Sequence, residues 1–537
     1  MKRVFFSSLA TLAVVLQAHA VTTLTWSGAS GGGFTTSTNW VGGVAPNSAD
    51  TVEFTATVTT TTVSFTGPST TLVGPIVFNG TSRPAYSFGG TGSPTLGLNG
   101  SVTIATVGDV TFASTLAVSL ANNAASTEFN ITSGATLTIA GTISGAVGII
   151  KKGAGTLVLT GTNTYTDKTF IKGGTLSVNN LSNFGVAGAL GSPTNQSDGY
   201  IRIGEDTITG TLRYTGPTVT TNRGIDMTGS TGGAIIEAAG SGALTLADVL
   251  VNGAGAKSLS LTGTNTGLNT ISGAIPDSVD GDTSVIKSGA GTWRLSGTNT
   301  YSGGTTISDG RLVANSNSAL GTGSVTLSGG TLNVASTRTI SNALTFTSTG
   351  NASVLAGNGT FSSAVNATTN SVLAPGDSIG TLSFSNGLTL ASGSAISFEL
   401  QDAAGVKGTG YDLISISGGN LNLTASTNTI TFNVITLNAD GNRGSALNFN
   451  PASSYSWTFA QIAPANSAGS ISNFNANQFN LVTTDFANGI AGGSFSFSQS
   501  GQSLLLNFTP VPEPSTYLLM GSGLSLIAGA AWRRKRR

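Results

Sequence analysis

The sequence contains no cysteine and a single histidine, His19. Without cysteine the chain has no disulfide, no thiolate nucleophile and no cysteine-ligated zinc. Because no histidine follows residue 19, a Ser-His-Asp triad and the common zinc sites are excluded from the rest of the chain. We therefore expect no metal and no cofactor, and carboxylates are the remaining candidates for catalysis.

Charge is also scarce. Charged residues make up 8% of the 537 residues, against about 25% in a typical soluble protein. Seven of the 22 Lys and Arg residues lie in the first three and last five positions, which leaves 15 cations against 22 acidic residues. A mildly acidic chain without a basic patch argues against nucleic acid as a partner. Hydrophobic residues, at 39%, are regularly spaced, which favours packed β structure over disorder.

The chain does contain an internal repeat. Residues 150–178, IKKGAGTLVLTGTNTYTDKTFIKGGTLSV, return at 286–314 as IKSGAGTWRLSGTNTYSGGTTISDGRLVA, with 16 of 29 positions identical. A degenerate third copy occupies 252–275. Repetition on this scale is typical of stacked units that share one core.

Within each copy, apolar and polar residues alternate with the period of a β-strand. One intervening position is Val158 in the first copy and Arg294 in the second, so we expect it to face solvent. Asn163 and Asn299 either form amide ladders at the corners or act as ordinary turn residues. The positions predicted to face the core are Leu157, Leu159, Ile171 and Leu176, with Trp293, Leu295, Ile307 and Leu312 in the second copy.

The pattern GAGT-x-x-L-[TS]-GTNTY-x-x-x-T-x-I-x-x-G-x-L resembles the autotransporter-associated β-strand repeat of bacterial surface proteins. Similar segments extend the resemblance over residues 26–423. It implies an all-β fold, a right-handed parallel β-helix (β-solenoid) at 55–423, in a protein that is exported and displayed. It implies no reaction, because such proteins share a scaffold rather than a chemistry.

The N-terminal residues predict export. Residues 1–20 combine Lys2 and Arg3 with an apolar run and an A-x-A site, which indicates a signal peptide cut after Ala20 by signal peptidase. Residues 21–54 are predicted to cap the solenoid, with Trp26 and Trp40 covering its open end. The alternative is that these two rings stack on a sugar.

The C-terminal residues predict sorting. Residues 424–509 are interpreted as a β module that closes the solenoid. At 510–537, Pro512, Glu513 and Pro514 precede an apolar stretch and five terminal cations, predicting one transmembrane helix. This segment resembles the PEP-CTERM sorting signal, which implies recognition of Pro512, Glu513 and Pro514 by an exosortase-type protease in a Gram-negative bacterium. A permanent tail anchor is the alternative.

Two acidic groups are the candidates for catalysis. Glu205 and Asp206 are adjacent at a predicted strand edge, so their carboxylates should point to opposite faces and not act as a pair. Asp277, Asp280 and Asp282 lack the spacing of a calcium loop and are interpreted as a solvated loop. No catalytic, cofactor-binding or metal-binding residue is therefore predicted.

The sequence predicts a non-enzymatic exported protein, anchored in the membrane during sorting and then located at the cell surface or outside the cell. Its predicted role is adhesion, envelope coating or biofilm formation, with extracellular polysaccharide as a candidate partner. Two alternatives stay open. A carbohydrate-binding module would need exposed Trp or Tyr in a line, and a β-helix polysaccharide lyase would need acidic and basic side chains in one groove.

Overall fold

The computed structural model describes residues 22–29, 32–55, 58, 60–81, 83–121, 126–347 and 350–511. The predicted signal peptide and all but the first two residues of the predicted sorting signal lie outside these ranges. Within them, no helix is long and apolar enough to cross a membrane. The chain divides into two compact units, Met1–Lys168 with Ala187–Pro193, and Thr169–Val186 with Thr194–Arg537.

The described residues are almost entirely β. Their helical content is one short α-helix, Gln196–Gly199, and two 3-10 turns, Ser37–Asn39 and Ala476–Gln478. Asn195 begins the α-helix by accepting a hydrogen bond from the Asp198 backbone, the usual way in which an asparagine caps a helix. These findings confirm the expected all-β class.

The first unit contains three parallel sheets, A, B and C. Sheet A consists of Thr23–Thr25, Thr51–Phe54, Ile76–Phe78, Val102–Ile104, Thr127–Ile131 and Ile149–Lys152. Sheet B consists of Thr62–Thr66, Tyr86–Thr91, Val110–Phe112, Thr136–Ile139 and Thr156–Leu159. Sheet C consists of Thr70–Val73, Thr95–Leu98, Ala117–Leu120 and Ile143–Gly145.

The second unit contains strands of five sheets, D to H. Sheet D consists of Thr169–Ile171, Ile201–Ile203, Ile225–Met227 and Val249–Leu250. Sheet E consists of Gly174–Val178, Gly210–Tyr214, Ala234–Ala238, Lys257–Gly263, Thr283–Lys287, Thr305–Ile307, Val325–Leu327 and Leu344–Phe346. Sheet F consists of Val219–Thr220, Leu244–Leu246, Asn269–Ile271, Thr292–Leu295, Arg311–Ala314, Thr331–Val334, Ser353–Gly357, Ser371–Pro375, Ala395–Leu400, Ile430–Thr436 and Phe479–Val482.

The last two sheets lie in the C-terminal part of this unit. Sheet G consists of Thr339–Ile340, Thr360–Phe361, Thr381–Phe384, Leu413–Ile416, Tyr455–Ile462, Ser503–Thr509 and Ser494–Ser500. Sheet H consists of Val365–Ala367, Leu388–Leu390, Leu421–Leu423 and Ile471–Ser472. Parallel pairing therefore continues past residue 424, and the antiparallel strands are Tyr455–Ile462 against Ser503–Thr509, and Ser503–Thr509 against Ser494–Ser500.

The chain visits the sheets in turn. In the first unit it passes from Val102–Ile104 in sheet A to Val110–Phe112 in sheet B and Ala117–Leu120 in sheet C, and returns to sheet A at Thr127–Ile131. Each return adds a strand parallel to the preceding one. This connectivity is consistent with a β-solenoid, in which no single coil buries its apolar residues alone.

The repeats bury the faces that the alternation predicted. All eight positions predicted to face the core are 0% exposed, whereas Val158 and Arg294 are half-buried. Asn163 and Asn299 are buried and form no amide ladder with each other. The Asn299 Oδ1 accepts a hydrogen bond from the Ile275 backbone at 2.9 Å, and its Nδ2 donates to the Ala319 carbonyl at 2.6 Å. Asn163 makes the equivalent bonds within the first unit.

The two N-terminal tryptophans pack inside the first unit. Trp26 and Trp40 meet edge to face with ring centroids 5.1 Å apart, and both also contact Phe54. Their indole N–H groups donate to the Thr60 and Phe34 carbonyls. At most 2% exposed, these rings present no face to a sugar, so packing is the interpretation that the geometry supports.

Candidate binding surface

The residues predicted for processing cannot be placed in the fold, because Ala20, Pro512, Glu513 and Pro514 lie outside the described residues. The acidic candidates can be placed. Glu205 and Asp206 do not lie on a strand edge as expected. They form a tight turn in which the Glu205 and Ile208 backbones pair and Asp206 has φ +48°.

The two carboxylates of that turn have different surroundings. Glu205 forms an ion pair with Lys172, and Asp206 is exposed. The predicted alternation of the two side chains across a strand edge therefore does not apply here.

The second acidic group lies in a loop, as predicted. Asp277 Oδ1 accepts hydrogen bonds from the backbone N–H groups of Thr283 at 2.7 Å and Ser302 at 2.9 Å. Burial acts to raise the pKa of Asp277, but these bonds outweigh it and the net pKa is lowered. Asp282 accepts from the Ser302 hydroxyl, and Asp280 is exposed. Across the described ranges, no three His, Asp or Glu side chains converge in a way that would hold a metal ion.

Sheet E presents an uncharged outer column of side chains. Within it, Thr306 pairs in register with Thr326, and Thr326 with Thr345. Thr306 and Thr326 are half-buried and Thr345 is exposed, and none of the three hydroxyls has a hydrogen-bond partner among the described residues. We call the whole set the outer column of sheet E: Thr175, Thr211, Ile235, Ser260, Ile286, Thr306, Thr326 and Thr345.

The outer column has a regular spacing that the strands impose. Neighbouring strands of a sheet lie about 4.8 Å apart, so the hydroxyls repeat at that interval where Thr306, Thr326 and Thr345 follow one another. Ser308 and Ser328 lie two residues further along their strands and already donate to backbone carbonyls. The column can therefore contact many weak polar partners at once.

Two ion pairs of the second unit join neighbouring strands. Arg213 and Glu237 are register partners with their Nε and Oε1 atoms 3.5 Å apart. Arg202 and the buried Asp226 are also register partners, with Nε and Oδ2 3.7 Å apart. The exposed Arg213–Glu237 pair contributes little stability, and both pairs reduce the net charge of the strands that carry them.

Buried lysines are a feature that the sequence reasoning missed. Lys287 is 0% exposed, and its ammonium donates to the carbonyls of Ser288, Gly289 and Asp309 at 2.6–3.0 Å. Lys151 occupies the same repeat position and donates to two carbonyls at 2.7 Å. Burial lowers the pKa of Lys287 to about 8 and that of Lys151 to about 7. The signal was present in the sequence, since both lysines precede the GAG corner.

A polar cleft lies on the outer face of sheet F, where the loop 375–380 folds back over the strands. Its volume is about 170 Å³. Asp377 Oδ1 accepts hydrogen bonds from the Arg311 guanidinium and from Asn333 Nδ2. Ser397 and Glu399 line the cleft from the neighbouring strand.

No tryptophan ring is exposed in the described part of the chain. Its four tryptophans, Trp26, Trp40, Trp293 and Trp457, are all at most 2% exposed. The described tyrosines are likewise buried or half-buried, so a line of exposed Trp or Tyr, which the carbohydrate-binding alternative called for, is not found among the described residues.

Comparison with known proteins agrees with the repeat and the C-terminal signal. Residues 149–178 and 285–314 match the Passenger-associated-transport-repeat family, and residues 510–537 match the PEP-CTERM protein-sorting motif. The chain is 36% identical over 188 residues to the Adhesin BmaC autotransporter of Brucella suis biovar 1 (strain 1330). That alignment covers 34% of this chain and 4% of the adhesin. The chain thus carries passenger-type repeats in a parallel β fold, together with a PEP-CTERM sorting motif.

Proposed function

We propose that this protein is a non-enzymatic, exported, adhesin-like surface protein. The sorting motif at residues 510–537 and the similarity to an adhesin support export and display. The proposal extends to a right-handed β-helical fold, to cleavage after Ala20, and to recognition of Pro512, Glu513 and Pro514 by an exosortase-type protease.

The adhesive role is supported mainly by the outer column of sheet E. It offers unpartnered hydroxyls at a fixed spacing and no charge. One hydroxyl contact is weak, but contacts made together along a column add through avidity. Adhesion, surface coating and biofilm formation all require this kind of repeated weak contact.

Attachment of whole cells tests the adhesive role. The triple variant Thr306→Val, Thr326→Val and Thr345→Val removes three hydroxyls and keeps β-branched side chains that suit a strand. We expect cells that display it to attach less than wild-type cells. A matched double variant, Ser308→Ala with Ser328→Ala, removes two half-buried hydroxyls next to the column that already donate to backbone carbonyls, and should attach normally. Attachment at the wild-type level by both variants and by a deletion strain would refute the adhesive role.

Intact mass tests processing separately. We expect the protein recovered from the medium or the outer surface to begin at Val21 and end near Pro514. Alanine at Pro512, Glu513 and Pro514 together should leave a full C-terminus in the inner-membrane fraction, whereas alanine at Ser515 and Thr516 should not. Retention of Arg537 in the wild-type protein would instead support the permanent tail anchor.

A further inference from the structure

The cleft on sheet F is preformed. Gly376 and Gly357 exchange two backbone hydrogen bonds of 2.9 Å, which fix the start of the loop 375–380 on the sheet. Gly376 has φ +86°, and a Cβ there would lie 2.0 Å from the Ser378 carbonyl oxygen, so the turn requires glycine. Asp377 then bonds Arg311 and Asn333. A ligand that enters does not have to order this loop, which favours binding.

The carboxylates around the cleft have different roles. Asp412 is 1% exposed and uses both oxygens on the backbone, accepting from Gly380 and Glu399 at 2.9 Å. It therefore holds the loop and the strand together. The Glu399 carboxyl has no hydrogen-bond partner among the described residues, and burial raises its pKa. Glu399 is thus a desolvated acceptor that lines the cavity without a hydrogen bond, and the positive charge of Arg443 only partly offsets its desolvation.

The remaining lining defines the chemistry of a ligand. Arg311 and Ser397 supply donors, while Ala356 and Ala374 give the cleft a small apolar floor. Because no metal-holding cluster exists among the described residues, a bound cation does not explain the carboxylates. An anion would be repelled by Asp377 and Glu399.

The size restricts the ligand further. At about 30 Å³ per water molecule, a cleft of about 170 Å³ holds five or six waters. That space suits one ring with several hydroxyls rather than an extended oligomer. A sugar ring combines hydroxyls that both donate and accept with a C–H face that packs on methyl groups.

We propose that this cleft binds one residue of a neutral polysaccharide. Glu399 and Asp377 accept from sugar hydroxyls, Arg311 and Ser397 donate to sugar oxygens, and Ala374 contacts the ring. This inference rests on the proposed function, since it names a ligand class and a specific site for a surface that otherwise binds through many weak contacts.

Affinity electrophoresis of the intact protein tests the site. The protein is run in native gels containing dextran, xylan, hydroxyethyl cellulose or a soluble β-1,3-glucan, and dissociation constants are taken from the retardation. Glu399→Gln keeps the size of the side chain and removes its charge, and Ala374→Leu fills the cleft without touching a hydrogen bond. Asp280→Asn neutralises an exposed loop carboxylate and is the matched control.

We expect at least one of these polysaccharides to retard the wild-type protein. Glu399→Gln should weaken that binding about tenfold, the loss expected for one charge-assisted hydrogen bond. Ala374→Leu should weaken it at least as much, because the larger side chain occupies the space of the sugar ring, and the control should leave it unchanged. Wild-type affinity in both cleft variants, or no retardation of the wild type by any of the four, would overturn the inference. If cells still attached through the protein in that case, the proposed function would survive while the cleft assignment failed.

Discussion

Replacing Asn299 by alanine should destabilise the second unit more than the replacement of an exposed polar residue would. The side chain is 2% exposed and joins two neighbouring turns of the chain by bonding the Ile275 N–H and the Ala319 carbonyl. Both of those residues are fully buried. Since each of the two orphaned groups costs about 1–3 kcal/mol, we expect Asn299→Ala to lower the free energy of unfolding by about 2–6 kcal/mol.

Urea unfolding followed by tryptophan fluorescence measures this loss as a lower midpoint. Asn366→Ala is the matched control, because Asn366 is exposed and has no hydrogen-bond partner among the described residues. It should unfold within about 0.5 kcal/mol of wild type. If Asn299→Ala behaved like this control, the amide would not be the bridge that we describe.

Asn299→Asp makes the test sharper. One carboxylate oxygen still accepts from Ile275, but the other faces the Ala319 carbonyl, where two acceptors repel. Protonation of that oxygen restores a donor. The folded protein therefore raises the pKa of the new carboxyl, and the stability missing at neutral pH should return as the pH falls. The alanine variant should show no such recovery relative to wild type.

Two further predictions concern the repeats. Trp293→Ala should cost about 3–5 kcal/mol by urea unfolding, because the ring is fully buried and its N–H bonds the Thr262 carbonyl; Arg294→Ala, one residue away on the outer face, should change little. The second prediction concerns the buried lysines, whose pKa is lowered to about 8 for Lys287 and to about 7 for Lys151. Between about pH 7 and pH 10 the unfolded chain therefore binds more protons than the folded chain, and the stability of the wild-type protein should rise as the pH rises across that window. A flat profile that the double Lys→Met variant shares would contradict the buried-lysine assignment.

Much of the fold was predictable because the repeat carries it locally. The alternation around Trp293 and Leu157 indicated which face is buried, and the tolerance of Val or Arg at 158 and 294 indicated which is not. The passenger-type repeats and the sorting motif were likewise predictable from contiguous residues. These features depend on neighbours a few positions apart, so the linear pattern contains them.

Features that depend on distant residues were not predictable. Asp377 bonds Arg311 and Asn333, which precede it by 66 and 44 residues, and no spacing rule connects them. Glu205 and Asp206 were assigned to a strand edge, but the backbone reverses there, because Glu205 pairs with Ile208 and forms a turn. The Asn299 bridge likewise requires knowing which turns become neighbours.

The sequence by itself determined the class of fold, the buried face of each repeat, and the two terminal signals that predict export and sorting. Each of these depends on period-two alternation or on a motif of contiguous residues. The tertiary structure decided which side chains meet. Stacking brings residues about one coil apart into register, and only then do the outer column of sheet E and the cleft beside Glu399 exist. Local chemistry defines the strands, whereas the register between them defines the binding surfaces.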